Sequence, residues 1–435
     1  MVVLLSIYYL TPWLRWDRGP QSPNQAILID LTHTRAYVFG LEIWPQEIYY
    51  ITAILILAAI GLFFVTSLFG RIWCGYACPQ TVWTDLFVWV ERIVYGDRNA
   101  RKKLDESPWT LQKLWKKTLT HFLWIIIALC TAGAWVFYFN DAPTLMDQLF
   151  HFDIPWSVGG WIVGLTASTY LMAGFAREQV CTYMCPYARF QSAMFDKDTL
   201  IIAYDEKRGE QRGHHKTGDP WEGRGHCIDC HSCVVVCPMG IDIRDGLQMD
   251  CIACGLCIDA CDHVMTKVGL PKGLIRYDTE QAKQDGVKPK LRLLRPRTVL
   301  YTTVIIIVGA LIIYGLLTRK PMELNVLHDR NPLFVTLSNG DKRNGYTISI
   351  LNKTHEDQIY TLALSNMSDA QIHIQGSHEI QADQLMILAD SVGHFRIFIT
   401  AKAQSEARKK IAFILTDPVH HITDSKNTVF ISEGK

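Results

Sequence analysis

Cysteine is missing from the last third of this 435-residue chain; all thirteen fall between Cys74 and Cys261. That skew argues against a secreted disulfide scaffold and places metal or redox chemistry in one part of the protein. Neither charge sign dominates. With a net charge of +1 there is no electrostatic case for nucleic acid. No Gly-rich nucleotide fingerprint follows a strand, so no flavin or NAD domain is visible, and electrons must come from a partner or from membrane quinol. The apolar start carries no cleavage site of the kind that ends a signal peptide.

What is present is apolar. Residues AVILMFWYC make up 49% of the chain, which at this length suits two or three domains with membrane segments among them. Spanning helices are expected at 47–69, 119–139, 158–175 and 299–317. Residues 1–13 fall short of the about 20 needed to cross a bilayer and read as the back half of a first span, with Trp13 and Trp16 at the interface. Nine Lys and Arg lie between Arg71 and Lys117, whereas Asn140 to Trp156 has none. The positive-inside rule puts the basic stretch in the cytoplasm and the bare loop outside. It follows that the loop 177–290 is cytoplasmic and everything after residue 317 is outside.

That cytoplasmic loop carries Cys227-x2-Cys230-x2-Cys233-x3-Cys237-Pro238 and then Cys251-x2-Cys254-x2-Cys257-x3-Cys261. This is the bacterial ferredoxin spacing twice over, in which the fourth cysteine of each run serves the other [4Fe–4S] cluster. One cluster is assigned to Cys227, Cys230, Cys233 and Cys261, the second to Cys251, Cys254, Cys257 and Cys237. Zinc sites usually pair two Cys-x2-Cys units, and disulfides do not suit the cytoplasm.

Two further stretches resemble each other. Trp73-Cys74-Gly75-Tyr76-Ala77-Cys78-Pro79 follows the first expected span, and Val180-Cys181-Thr182-Tyr183-Met184-Cys185-Pro186 follows the third. Each leads into an amphipathic segment, 80–95 and 187–195, as an internal repeat of helix, cysteine turn and interfacial helix. The prolines suit a first helical turn, so Cys78 and Cys185 are expected at or beside N-caps, where the helix dipole lowers thiol pKa values. Four such thiolates can bind copper, hold another cluster, or cycle between dithiol and disulfide. Cys130 reads as a small packing residue, and His121 and His151 as interfacial histidines rather than haem ligands.

The run 206–224 is polar and Gly-rich and reads as a linker, with His214 and His215 as solvated residues. From Met322 onward the pattern alternates in short runs at 333–337, 346–351, 359–364, 371–375, 394–400, 410–415 and 428–431. Strands at this spacing suggest an immunoglobulin-like sandwich without the Cys…Trp…Cys hallmark, held by packing alone. Met322, His328, His373, Met386 and His394 read as scattered core and surface residues rather than copper ligands. The fold class expected is a multi-domain membrane protein: an α-helical transmembrane bundle, an inserted double-cluster ferredoxin module and a C-terminal all-β sandwich. Its domains are 1–205, 206–296, 297–320 for the last span, and 321–435.

With these parts in place the chain resembles the cytochrome c oxidase accessory protein CcoG family of FixG- and RdxA-like proteins. The resemblance rests on WLRWDRGP (13–20), FGLEIWPQE (39–47), GRIWCGYACPQTVWTDLF (70–87), REQVCTYMCP (177–186), the double ferredoxin run and GLIRYDT (273–279). It implies a bacterial inner-membrane protein with a cytoplasmic ferredoxin module and a periplasmic C-terminal domain. It also implies reduction of Cu(II) to Cu(I) during cbb3-type oxidase assembly, with copper-delivery factors and oxidase subunits as partners and a separate electron donor. Onto this sequence it carries two [4Fe–4S] clusters on the eight cysteines assigned above, and copper at Cys74, Cys78, Cys181 and Cys185. The relatives' cytoplasmic head and full first span are not matched here. Rival readings are a quinol-dehydrogenase-like relay and a non-enzymatic copper chaperone or assembly scaffold.

Overall fold

Among the described residues four helices are long and apolar enough to cross a membrane: Pro45–Phe69, Leu111–Phe137, Trp156–Ala176 and Pro296–Leu317. They come from a computed structural model that describes residues 1–19, 22–215, 221–287, 289, 292–367, 369–375, 384–402 and 406–432. The chain divides into two units, Met1–Arg15 with Gln25–Ile313, and Trp16–Asn24 with Tyr314–Lys435.

In the first unit, the second span begins at Leu111 rather than at 119. Thr110 caps it by accepting from Lys113 N (3.2 Å), and Lys113 Nζ turns back to Asp105 O and Ser107 O. Lysines are therefore accommodated in its first turns, where apolar patterning alone placed no helix. The first span stops at Gly70, whose φ is +60 and whose position would bring a Cβ to 2.4 Å from Leu200 O. Arg295 leads into the last span and ties it to the end of the first. It donates to Ser67 O (3.1 Å) and Asp196 Oδ1 (2.6 Å). None of the most apolar window of Pro296–Leu317 is buried within the fold, as suits a helix solvated by lipid.

The interfacial helix Pro79–Tyr95 buries Val82, Phe87, Val90 and Glu91, spaced for one helical face. Phe87 stacks on Trp124 of the second span with ring centroids 5.2 Å apart. Buried Glu91 accepts from Arg177 Nη2 (2.6 Å) and is also paired with Arg101, so its charge is compensated at the end of the third span. The matching segment after Cys185 starts one residue earlier and ends three residues sooner than expected, Pro186–Ser192 instead of 187–195. Five-residue π-helical turns, Met172–Ala176 and Val180–Met184, lie on the approach to it. The short apolar helix Val2–Leu10 packs on the second span, where Tyr8 donates to Thr131 O (2.9 Å). Not foreseen was an antiparallel sheet of Ile27–Asp30, Arg35–Val38 and Leu41–Ile43.

The ferredoxin-type module is closed by two antiparallel strands, Leu200–Tyr204 and Ile275–Thr279, which bracket both cysteine runs. The expected linker 206–224 is not a solvated tether. Its residues up to Gly213, together with Arg224, fold back on the Cys227 loop: Gly213 N donates to Cys227 O (3.0 Å) and Gly225 N to Gln211 O (3.1 Å). Gly225 permits this, since a Cβ there would lie 2.0 Å from Gly209 O. Residues 216–220 of the linker lie outside the described residues, as do Pro20 and Lys290, which close two expected stretches.

The second unit is a sandwich of two antiparallel sheets. One runs Gln371–Ile374, Ser391–Ala401, Lys342–Asn352, Met322–His328, with Val335–Thr336 also pairing to Lys342–Asn352. The other runs Leu385–Ile387, Gln358–Ser365, Arg408–Thr416, Thr423–Ile431. Strands Met322–His328 and Leu385–Ile387 had no counterpart in the sequence pattern, and of 333–337 only Val335–Thr336 pairs. Tyr346, Ile348 and Ile350 alternate into the core, where Tyr346 meets Phe413 edge-on at 5.3 Å and donates to Val429 O (2.7 Å). Packing carries this domain. Phe413 is fully buried, so Phe413→Ala should cost about 3–5 kcal/mol. Hydrogen exchange of the Arg408–Thr416 amides in detergent should then speed up more than about a hundredfold; an unchanged rate would show that this core does not hold the strands.

Candidate metal centres

The two ferredoxin-type runs fold alike. Asp229 and His231 flank Cys230 with φ of +52 and +53, and Ala253 and Gly255 flank Cys254 with +56 and +79. Each middle cysteine thus sits between two left-handed residues, which coil the loop tightly round one space. A helix follows each loop, Ser232–Val235 and Leu256–Lys267. Arg244, its side chain buried, braces the first loop through Asp229 (2.5 Å) and His231 (2.9 Å) and is neutralised by Asp229 and Asp242. In the second loop tyrosines do the bracing. Tyr277 donates to Ala253 O (2.9 Å) and Tyr76 to Cys254 O (3.0 Å).

Cys227, Cys230, Cys233 and Cys261 line one space. Cys237, Cys251, Cys254 and Cys257 line a second, with Cys233 between the two. No three cysteine sulfurs lie within 4.8 Å of one another among the described residues. A zinc ion bound at about 2.3 Å by four thiolates would need sulfurs ~3.8 Å apart. The wider spread fits a cubane, which keeps its ligands round a cluster instead of round one ion. Burial pushes the thiols up, Cys233 to about 11 and Cys257 and Cys261 to about 12. Neighbouring cysteines add to the rise, chiefly Cys251 and Cys254 at Cys257, and Cys233 and Cys227 at Cys261. Burial also raises Cys251 and Cys254, so metal-free these five cysteines are held as neutral thiols, and loading a metal centre must release their protons.

The membrane-edge cysteines also meet. Cys74, Cys78 and Cys185 all act electrostatically on Cys181, and Cys78 and Cys185 act on Cys74. Contacts between the repeats hold them together. Fully buried Gln191 donates to the Cys74 sulfur (3.3 Å), and Arg71 Nη2 donates to Ala188 O (2.8 Å). Cys78 and Cys185 occupy N-cap positions ahead of Pro79 and Pro186. The other two thiols are not depressed; burial pushes Cys74 and Cys181 up to about 11. The first repeat lies directly on the second cluster loop: a Cβ on Gly75 would be 2.8 Å from Ile252 O and 3.0 Å from Cys254 Cα.

Comparison with known proteins fits this arrangement. Residues 176–280 match a 4Fe-4S dicluster domain, 51–95 a 4Fe-4S binding domain, and 312–433 the IG-like fold at the C-terminus of FixG. The nitrogen fixation protein FixG of Rhizobium meliloti is 46% identical over 98% of this chain and 88% of its own length. The chain belongs to the FixG family. RdxA of Cereibacter sphaeroides is 48% identical over 93% of this chain and 86% of its own. A crystal structure of a FixG-related protein from Vibrio parahaemolyticus aligns with 26% of this chain and 99% of that one, at 25% identity and a TM-score of 0.24. Like its FixG relatives, this is a membrane iron–sulfur protein with 4Fe–4S domains and a C-terminal immunoglobulin-like domain.

Sequence reasoning passed over the residues that join the parts. Tyr76 and Tyr277 stood inside quoted motifs without a role, and Arg71, Gln191 and Arg244 were not singled out as site residues. An aromatic or Arg beside each cysteine run was the available signal. Cys130, expected as a packing residue, is exposed on the second span. His121 accepts from or donates to Tyr170 (2.9 Å), His151 is exposed, and His215 stacks on Trp221 at 3.9 Å with His214 exposed. Met322 is buried in the sandwich core, while His373, Met386 and His394 are exposed and His328 bonds Asn344 (2.8 Å).

Two outcomes follow from the site's packing. Gly75→Ala should cost about half the iron, because backbone and not a side-chain tip must move; Gly133→Ala, with open space around it, should cost none. Metal analysis of the two variants decides it. In metal-free protein Cys74 and Cys181 should resist iodoacetamide at pH 8. A raised pKa keeps the unreactive thiol, so labelling should climb only as pH nears about 11. Labelling at the rate of a free thiol at pH 8 would contradict the burial.

Proposed function

We propose that this chain is a membrane-bound electron-transfer protein that reduces Cu(II) to Cu(I) at Cys74, Cys78, Cys181 and Cys185, in support of copper delivery to a cbb3-type oxidase. The observation that carries this reading is the convergence of four thiols from two repeats on one spot, packed against the Cys251–Cys254 loop. The eight ferredoxin-type cysteines would hold two [4Fe–4S] clusters, which when bound supply electrons one at a time beside that spot. Each Cu(II) gains one electron and becomes Cu(I).

The chain's own part is selective binding. Soft thiolate favours Cu(I), and a pair of thiolates satisfies that ion, so the wide sulfur spacing is no obstacle. Thiols held protonated by burial give up protons when copper arrives, which makes capture pH-dependent. The Lys and Arg distribution supports an inner-membrane orientation with the cysteine-bearing side in the cytoplasm and the sandwich in the periplasm, where it would dock assembly factors or oxidase subunits. The electron donor is a separate protein or quinol.

A second reading has an observation of its own. The match of residues 51–95 to a 4Fe-4S binding domain takes in Cys74 and Cys78, and the sulfur spacing would also admit a further cluster. Anaerobic metal analysis with EPR separates the two. The Cys74/Cys78/Cys181/Cys185 quadruple Ser variant should keep the wild-type iron, roughly eight per chain. It should lose Cu(I) binding and no longer be reoxidised by Cu(II). A loss of about four irons would establish the further cluster instead, and reoxidation by Cu(II) at the wild-type rate would end the copper reading.

A further inference from the structure

Arg71 stands three residues before Cys74 and is 6% exposed. Its Nη2 donates to Ala188 O (2.8 Å), but its Nε is buried without a hydrogen-bond partner. Among the described residues no carboxylate pairs with it. The other buried arginines near the centres are compensated: Arg244 by Asp229 and Asp242, and Arg295 by Asp196. A buried guanidinium left without an anion is strongly unfavourable, so the compensating charge must come from what the site binds. The groups that feel the Arg71 charge include Cys74, Cys181 and Tyr187 on one side and Cys251 on the other.

We propose that Arg71 is the counter-cation shared by the four-cysteine site and the Cys251 side of the ferredoxin module. It is a positioning residue that acts on the metal–thiolate centres flanking it. The unpartnered Nε–H is a donor for an anionic sulfur, and hydrogen bonds to sulfur and local charge are among the factors that set iron–sulfur potentials. Adding an electron makes a centre more negative, so a buried cation beside it favours the reduced form. Arg244 gives the other quartet no such net charge, because two carboxylates neutralise it. The quartet next to Arg71 is therefore the better electron acceptor of the two, which draws electrons towards the membrane edge. The copper arm of this inference rests on the function proposed above; the potential arm does not.

The test is an EPR-monitored redox titration of the full chain in detergent, with iron content measured alongside. Wild type should show two waves. Arg71→Met should lower the upper wave by about tenfold in the reduction equilibrium, ~59 mV for one electron, and leave the lower wave in place. Arg71→Lys should restore most of the shift. Should the Met variant lose iron, Arg71→Gln keeps an amide donor, removes the charge and carries the same expectation. Competition with a chromophoric Cu(I) chelator should show about tenfold weaker Cu(I) binding in the neutral variants. Unshifted waves in iron-replete protein, or both waves shifting equally, would overturn the proposal. If wild type binds no Cu(I) at all, the copper reading fails while the titration still decides the role of Arg71.

Discussion

The approach of Gly75 to the backbone of Ile252, Ala253 and Cys254 is the contact on which the first unit's organisation depends. Backbone meets backbone there, with no side chain between, so the separation is set by van der Waals contact and not by a flexible tip. Tyr76 and Tyr277 lock it from the side, their hydroxyls 3.1 Å apart and each bonded to a carbonyl of the same loop. A turn leaving a membrane helix and a loop of a ferredoxin-type module are thereby one rigid piece. Electron exchange depends steeply on distance, so such a junction is worth more than a tether of the same length.

Charge and burial act together at that junction. Cys74 and Cys181 are raised by burial, so metal-free they are held as neutral thiols and give Arg71 no counter-charge. On the proposed function, binding a thiophilic metal would expel those protons and leave thiolates as the missing anions in one event. The folded protein thus favours the loaded state for two reasons with a single cause, the low polarity of the spot. Glu91 makes the opposite choice nearby: its charge is satisfied by Arg101 and Arg177, and it serves only to fix the interfacial helix against the third span.

Legibility from sequence followed the range of the interactions. The spans were readable because about 20 consecutive apolar residues declare themselves without a partner. The ferredoxin spacing and the Cys-x3-Cys-Pro repeats were readable because ligand intervals are covalent facts. Boundaries failed where polar residues enter a helix, as at Lys113, and where a helix is short, as at Pro186–Ser192. Strand Leu200–Tyr204 was invisible because its partner lies beyond both cysteine runs, and Ile275–Thr279 passed as a mere motif. The segment after Glu206 looked like a tether because glycines are loop formers; Gly209 and Gly225 are there for close approach instead.

The two repeats look equivalent in sequence and are not equivalent in structure. Both place a Tyr two residues after the first cysteine, yet Tyr76 reaches Cys254 O whereas Tyr183 is 73% exposed. The difference traces to the residue before each Tyr. Gly75 leaves room for the cluster loop; Thr182 has a side chain, and its hydroxyl is bonded to Glu178 O (3.1 Å) within a π-helical turn. The first half of the four-cysteine site therefore rests on the ferredoxin-type module through Gly75 and Tyr76, whereas Tyr183 of the second half points into the open. If the four cysteines hold a metal as proposed, the first repeat, packed on the cluster loop, offers a direct contact for electron passage. The duplicated motif is in this way asymmetric at its junction with the module, through a change that leaves every cysteine in place.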